Sequence, residues 1–267
     1  MKLFRLNFNF FFLCSLATFG VWSAAFAQND DDFQKYMKEL GRISNYTIPR
    51  ASVASISSGF GASGKQSYIA VSYNNRDTQT AGNDDDGSIA IGYGLGDPNS
   101  TLGLELTMAI TSVSTGLWGD GRFADEGNFS AKIHKRVAPL GFGTAASLAF
   151  GASNFSGWGG TRDMPINYNL SYTAIGYFGS YNQFGYNFTA GVGSAVAGVE
   201  SESAAYFGIG VGMGNFSTSL AYNGDEVNAG LTYFMPQIDG ASFGIILGDI
   251  TELSARKRTI ITVAKSW

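Results

Sequence analysis

From Gln66 to Trp267 the chain alternates, residue by residue, between bulky apolar and small neutral side chains. A period of two places each set on its own face of an extended ribbon. Ile69, Val71 and Tyr73 alternate with Ala70, Ser72 and Asn74, and Ile89, Ile91, Tyr93 and Leu95 alternate with Ser88, Ala90, Gly92 and Gly94. Leu102, Leu104, Leu106, Met108 and Ile110 follow the same rule, as do Phe129, Ala131 and Ile133. The later apolar sets are Phe142/Leu148/Phe150, Tyr168/Leu170/Tyr172, Phe184/Tyr186/Phe188, Phe207/Ile209/Val211, Phe216/Leu220/Tyr222, Val227/Leu231/Tyr233, Phe243/Ile245/Leu247 and Ile261/Val263. About twelve antiparallel strands of about ten residues are predicted, the length at which a tilted strand crosses a bilayer. Even counts of roughly ten or fourteen stay open.

The second face decides between two all-β folds. A soluble sandwich buries its bulky face and shows Lys and Glu on the other. Here the other face is mostly Gly, Ala, Ser, Thr and Asn, and only 14% of the chain is charged. A transmembrane barrel turns its apolar face to lipid and its small or polar face inward. We therefore expect an up-and-down transmembrane β-barrel over residues 66–267.

The connections carry the same message. Asn75–Gly87, Ser112–Gly127, Asn154–Ile166 and Asp249–Lys257 are long, while Gly96–Ser100, Arg136–Gly141, Tyr181–Gln183, Gly212–Asn215 and Pro236–Gly240 are short. Val199–Ala204 and Asn223–Glu226 are intermediate and fall in the long series. Long loops at one rim and tight turns at the other mark outer-membrane barrels. Twelve strands put both ends of the barrel on the short-turn, periplasmic side.

Residues 1–27 read as a signal peptide: Lys2 and Arg5, an apolar stretch Phe8–Val21, then Ala25-Phe26-Ala27 before Gln28. Cys14, the only cysteine, lies inside it after Leu13, so a lipid-attachment site is not expected. Loss of Lys2 and Arg5 leaves 15 basic against 21 acidic residues, a net charge of −6. An acidic chain without a Lys/Arg cluster is not a nucleic-acid binder. A cysteine-free mature chain with one histidine, His134, excludes thiol catalysis and Cys-zinc sites. No cofactor is expected.

Residues 28–65 form a lead-in. Asp30 or Asp31 can cap a short helix carrying Phe33, Met37 and Leu40 on one face, stopped by Gly41. A Ser/Gly-rich run, Ser52–Gly64, follows. It is expected either as a periplasmic extension or as a segment tucked into the lumen. Gly59–Gly64 spells G-x-G-x-x-G, but the motif needs a strand before it and a helix after it, and neither flank is present. Asp84, Asp85 and Asp86 cluster in the first long loop, where a solvated acidic tip is a better reading than a cation site shared with lipopolysaccharide.

Candidate pore-lining residues are the charged groups of inward parity: Arg76, Glu105, Lys132, His134, Arg136 and Arg258. Aligning Thr101 with Val137 places Glu105 opposite Ile133, beside Lys132 and His134. Charges facing a lumen must be paired or wet. They are read as a structural ion-pair network, with tuning of a pore as the functional alternative. Four positive groups against Glu105 would favour anions weakly. His134 faces inward, and Ser130 is too far along the same strand to act as its nucleophile, so an enzyme is not expected.

The Gly59–Gly64 lead-in, Ile69–Tyr73, Ile91–Asp97, Leu102–Glu105 and Ser130–Arg136 together resemble a family of cyanobacterial outer-membrane β-barrels. That resemblance implies an exported, porin-like barrel and brings no substrate or site residues. The resulting expectation is a bacterial outer-membrane protein acting as a passive channel for ions or small hydrophilic solutes. The alternative is a plugged structural barrel whose long loops, with Trp118 and Trp158, bind outside partners. Lipid and lipopolysaccharide are the expected surroundings, and the last strand, ending at Trp267, resembles the signal read by the barrel-assembly machinery.

Overall fold

The apolar–small alternation builds twelve strands in a computed structural model, which describes residues 51–76, 86–111, 113, 123–141, 143–179, 184–194, 203–253 and 257–267. They are β1 (Ser67–Arg76), β2 (Asp86–Gly96), β3 (Gly103–Ile110), β4 (Gly127–Val137), β5 (Ala145–Trp158), β6 (Asn167–Phe178), β7 (Phe184–Gly193), β8 (Ala204–Met213), β9 (Phe216–Tyr222), β10 (Val227–Met235), β11 (Ala241–Gly248) and β12 (Arg258–Ser266). Each strand pairs antiparallel with its sequence neighbour, and β12 returns to β1, so the sheet closes into a barrel. Closure leaves no unpaired edge, which is what lets strands exist in hydrocarbon.

The closing register sets the faces. Val71 pairs with Val263 on one side and Ile89 on the other, while Ala70 pairs with Ala264 and Ala90. Partners directly across a ladder share a face. The bulky set lies outside: Ile91 is 44% exposed, beside Ala90 at 6%. Ile133, Phe150, Phe207, Ile209 and Leu220 are exposed in the same way. So large an apolar surface is a liability in water and matches the lipid-facing band of a membrane barrel.

Five of the six connections at one rim have eight residues or more, the four-residue β9–β10 turn being the exception. Those at the other rim have two to seven. The tightest is the two-residue turn Gly214–Asn215 between β8 and β9. β1 starts and β12 ends at the short-turn rim, where the backbones of Ser67 and Trp267 exchange hydrogen bonds. Lys265 sits on the outer face there, its ammonium 5.7 Å from the Trp267 ring centroid and donating to the Asp239 carbonyl, so its charge reaches the interface while its stem stays on the belt.

One loop boundary differs from expectation. The loop anticipated from Asn154 begins only after Trp158, because β5 continues through a bulge. The β4–β5 register shifts between Phe129 and Ser130, leaving Asn154 and Phe155 as extra residues on β5. Asn154 takes φ 59°, a left-handed conformation that Asn tolerates, and its amide donates to the Met164 carbonyl at 2.7 Å. Trp158 is accordingly a strand-end residue rather than a loop contact: its indole donates to the Ala124 carbonyl at 2.9 Å and its ring packs 5.7 Å from Phe129. The leader, the 30–41 helix and Trp118 lie outside the described residues.

Candidate functional site in the barrel lumen

Residues 51–63 are buried throughout, and they touch the inner faces of many strands. Ser52 N–H donates to Ser217 on β9 at 2.8 Å, and the Ser52 hydroxyl donates to Thr232 on β10 at 3.2 Å. Ala54 N–H donates to Ser219 on β9 at 3.1 Å, and Asn187 on β7 donates to the Ala51 carbonyl at 3.5 Å. Further along, the Ser57 hydroxyl donates to Asn169 on β6 at 3.1 Å and Gly59 N–H donates to Thr173 on the same strand at 2.8 Å. Phe60 and Ala62 then meet β3 and β4. In a ring of twelve strands β3 stands across from β9 and β4 across from β10. The segment therefore traverses the lumen from one wall to the other.

Small residues on both partners make that approach possible. A Cβ on Gly210 of β8 would run into the Ser52 carbonyl, and one on Gly61 of the segment would come within 2.7 Å of the His134 ring. The G-x-G-x-x-G spelling thus finds a steric role: its second glycine lets the backbone lie against a histidine. A small apolar contact assists, in which Val53 and Ile56 pack on Tyr206 and Ala221. Tyr206 points inward, and its hydroxyl sits 2.8 Å from that of Ser171.

Near the short-turn rim, β3 and β4 present the charged groups. The ladder pairs Glu105 with Lys132 and Gly103 with His134. This corrects the expected alignment of Glu105 with Ile133 by one residue. Directly opposed residues share a face, so an inward carboxylate must oppose an inward partner. Glu105 is 2% exposed. Its Oε2 accepts from Ala62 N–H at 2.7 Å, and its Oε1 accepts from the Tyr68 hydroxyl at 3.4 Å. Tyr68, fully buried, also shares a 2.5 Å bond with Thr107.

The basic side chains beside Glu105 reach the same stretch of segment. Lys132 Nζ donates to the Phe60 carbonyl at 3.3 Å. His134 Nε2 lies 3.0 Å from the Ala62 carbonyl; a carbonyl only accepts, so this nitrogen carries the hydrogen. The Nδ1 atom is buried without a hydrogen-bond partner. Arg136 stacks its guanidinium 4.3 Å from the Phe60 ring centroid. Three backbone atoms of residues 60–62 are thus held by Glu105, Lys132 and His134.

Arg258 lies elsewhere, at the long-loop rim. Its guanidinium forks onto Glu226 at 2.7 and 2.5 Å, and Asn223 donates to the same carboxylate at 3.2 Å. Arg258 is therefore a neutralised cation. Arg76 is placed across from Arg258 by its backbone; its side chain lies outside the described residues, as do Asp84, Asp85 and the side chain of Asp86. Among the described residues no three His, Cys, Asp or Glu side chains gather as a metal site. Glu226, Tyr68, Tyr206 and Phe60 were not singled out beforehand, although the inward parity of both tyrosines is readable from their strands.

No protein-family model matches the sequence, and no curated protein matches it. Among solved structures, the chain is similar to the KdgM porin in complex with disordered oligogalacturonate (10% identity, TM-score 0.47) and to the KdgM porin (11% identity, TM-score 0.45). Each match covers 75% of this chain and 99% of the other.

Proposed function

We propose that this chain is a bacterial outer-membrane barrel working as a porin-like passive channel for ions or small hydrophilic solutes, its lumen narrowed by residues 51–63. The observation that carries this reading is the pairing of faces in a closed twelve-strand ring: exposed Ile, Leu, Phe and Tyr outside, small and hydroxylated side chains inside. Such an interior tolerates water, and such an exterior tolerates only lipid. In this reading residues 1–27 direct export and are removed, and the strand ending at Trp267 serves assembly.

A second reading, the plugged structural barrel, is favoured by the burial of residues 51–63 against both walls. Planar-bilayer recording separates the two. Discrete conductance steps from the refolded full-length chain support the channel. Steps that arise only after deletion of residues 51–63 support the plugged barrel. Silence from both proteins, each correctly folded, would remove the channel reading altogether.

A further inference from the structure

We infer that residues 51–63 are a releasable gate, latched to the wall at Glu105 and hinged at Gly64-Lys65. The inference rests on the channel reading for its consequence, but the latch itself can be tested without any current.

The wall does not depend on the segment. All twelve ladders, including β12 to β1, are complete without it. Residues 51–62 form no strand, and backbone atoms of Ala51, Ser52, Ala54, Gly59, Phe60 and Ala62 bond to wall side chains: Asn187, Ser217, Ser219, Thr173, Lys132, Glu105 and His134. A segment held this way can leave while the barrel stays closed, whereas a thirteenth strand could not.

The hold is uneven along the segment. From Ser52 to Gly59 the partners are neutral hydroxyls and amides. At residues 60–62 they are a carboxylate, an ammonium and an imidazole, all from β3 and β4. Hydrogen bonds to charged groups are about twice as strong as neutral ones. The latch is therefore at the end nearest β1. Beyond it the chain reverses: Gly64 and Lys65 adopt φ 59° and 73°, their N–H groups bond to the carbonyls of Gly96 and Gly94, and Ser67 begins β1. This turn anchors the segment at the short-turn rim, so a released gate stays tethered at the lumen mouth.

Glu105 is the centre of the latch because it alone joins the segment, β1 and the cation across the ladder. It grips Ala62, receives Tyr68 and opposes Lys132, which in turn holds Phe60. Glu105→Gln keeps the shape and removes the charge. Gly61→Ala leaves the barrel wall untouched and puts a methyl group against the His134 ring. Both variants should release the same three residues, one by removing the charge that grips Ala62 and the other by crowding His134 and the Glu105 carboxylate.

The test uses the full chain with Cys14, its one native cysteine, replaced by serine and with Ser58→Cys as a reporter on the segment. Ser58 is 2% exposed, so a water-soluble maleimide reaches it only after release. Labelling in Glu105→Gln and in Gly61→Ala should be faster than in the parent by about tenfold, the ratio set by losing one charge-assisted hydrogen bond of about 1.5 kcal/mol. Heat-modifiable electrophoretic mobility checks that each variant is folded. In bilayers the same two variants should raise the open fraction by a like factor. Labelling rates equal to the parent in both variants overturn the latch. Faster labelling with no current, also absent after deletion of residues 51–63, leaves the latch standing and removes the channel.

Discussion

Glu105 on β3 accepts a hydrogen bond of 2.7 Å from the backbone N–H of Ala62, a residue 43 positions earlier that lies inside the barrel. The carboxylate does double service, because Lys132 stands directly across the ladder from it. A buried lysine in a membrane barrel needs a counter-charge, and a buried N–H needs an acceptor. One side chain meets both needs, tying the stability of the wall to the position of the segment.

Removal of that carboxylate should be costly in a specific way. Glu105→Ala leaves Lys132, 5% exposed, without the charge across the ladder and leaves Ala62 N–H without its acceptor. Lys132 and Glu105 make no direct ion contact, so the cost is that of a hydrogen bond to a charged group, about 1.5–3 kcal/mol. Urea unfolding from lipid vesicles should show a loss in that range. Glu105→Ala combined with Lys132→Met should recover part of it. A double variant as unstable as the single one would mean that the interaction with Ala62, rather than with Lys132, is what Glu105 supplies.

The rim pair behaves differently. Arg258 and Glu226 meet through two hydrogen bonds of 2.7 and 2.5 Å while both side chains are largely buried. A double-mutant cycle on Arg258→Ala and Glu226→Ala should give a coupling energy of about 1–3 kcal/mol. Arg258→Lys should retain only part of it, since an ammonium cannot reproduce the fork. Conductance should not change in the double variant or in Arg258→Lys, because each keeps the net charge of the pair. A clear shift in ion selectivity would place Arg258 in the permeation path instead.

The barrel was legible because its signal is local and repeated. Ile69, Val71 and Tyr73 announce their faces through a period of two, and the loop-length alternation fixes the rims without any knowledge of contacts. The occupant of the lumen was not legible, because Ser52–Gly64 has no period and its partners are inner hydroxyls, amides and ionisable groups scattered over six strands. Its small side chains fit a flexible tail as well as a segment lying against glycines. The Glu105 register was misjudged by one residue because Thr101, of inward parity, was set opposite Val137, of outward parity, against the rule that opposed residues share a face. Glu226 went unnoticed as Arg258's partner because the two are 32 positions apart and join at a rim, where alternation ends.

The turn after β2 should respond to acid. Asp97 accepts from Asn99 N–H at 2.9 Å and from the Ser100 hydroxyl at 2.8 Å, and these bonds hold its carboxyl below the usual value of 3.8. A depressed folded pKa means that the added stability is present above 3.8 and is lost as pH falls through the lower, folded value. Wild-type and Asp97→Asn chains should therefore differ in unfolding midpoint at neutral pH and converge below 3.8. A difference that persists unchanged into strong acid would show that the charge on Asp97 contributes nothing to the turn.

Within the lumen, water should be found on one side. Ser72 on β1 and Thr262 on β12 are each 8% exposed, whereas Thr173, Asn187 and Thr189 on β6 and β7 are at 0%. The second group is covered by the segment: Gly59 N–H bonds to Thr173, Thr173 to Thr189 at 2.8 Å, and Asn187 to the Ala51 carbonyl. In a chain with Cys14 replaced, Ser72→Cys should accept a small water-soluble thiol reagent in the folded barrel, while Thr189→Cys should stay unlabelled until the protein is unfolded or residues 51–63 are deleted. Equal labelling at the two positions in the intact barrel would show that the segment leaves the β6–β7 wall uncovered in the membrane, and with it the asymmetric lumen would go.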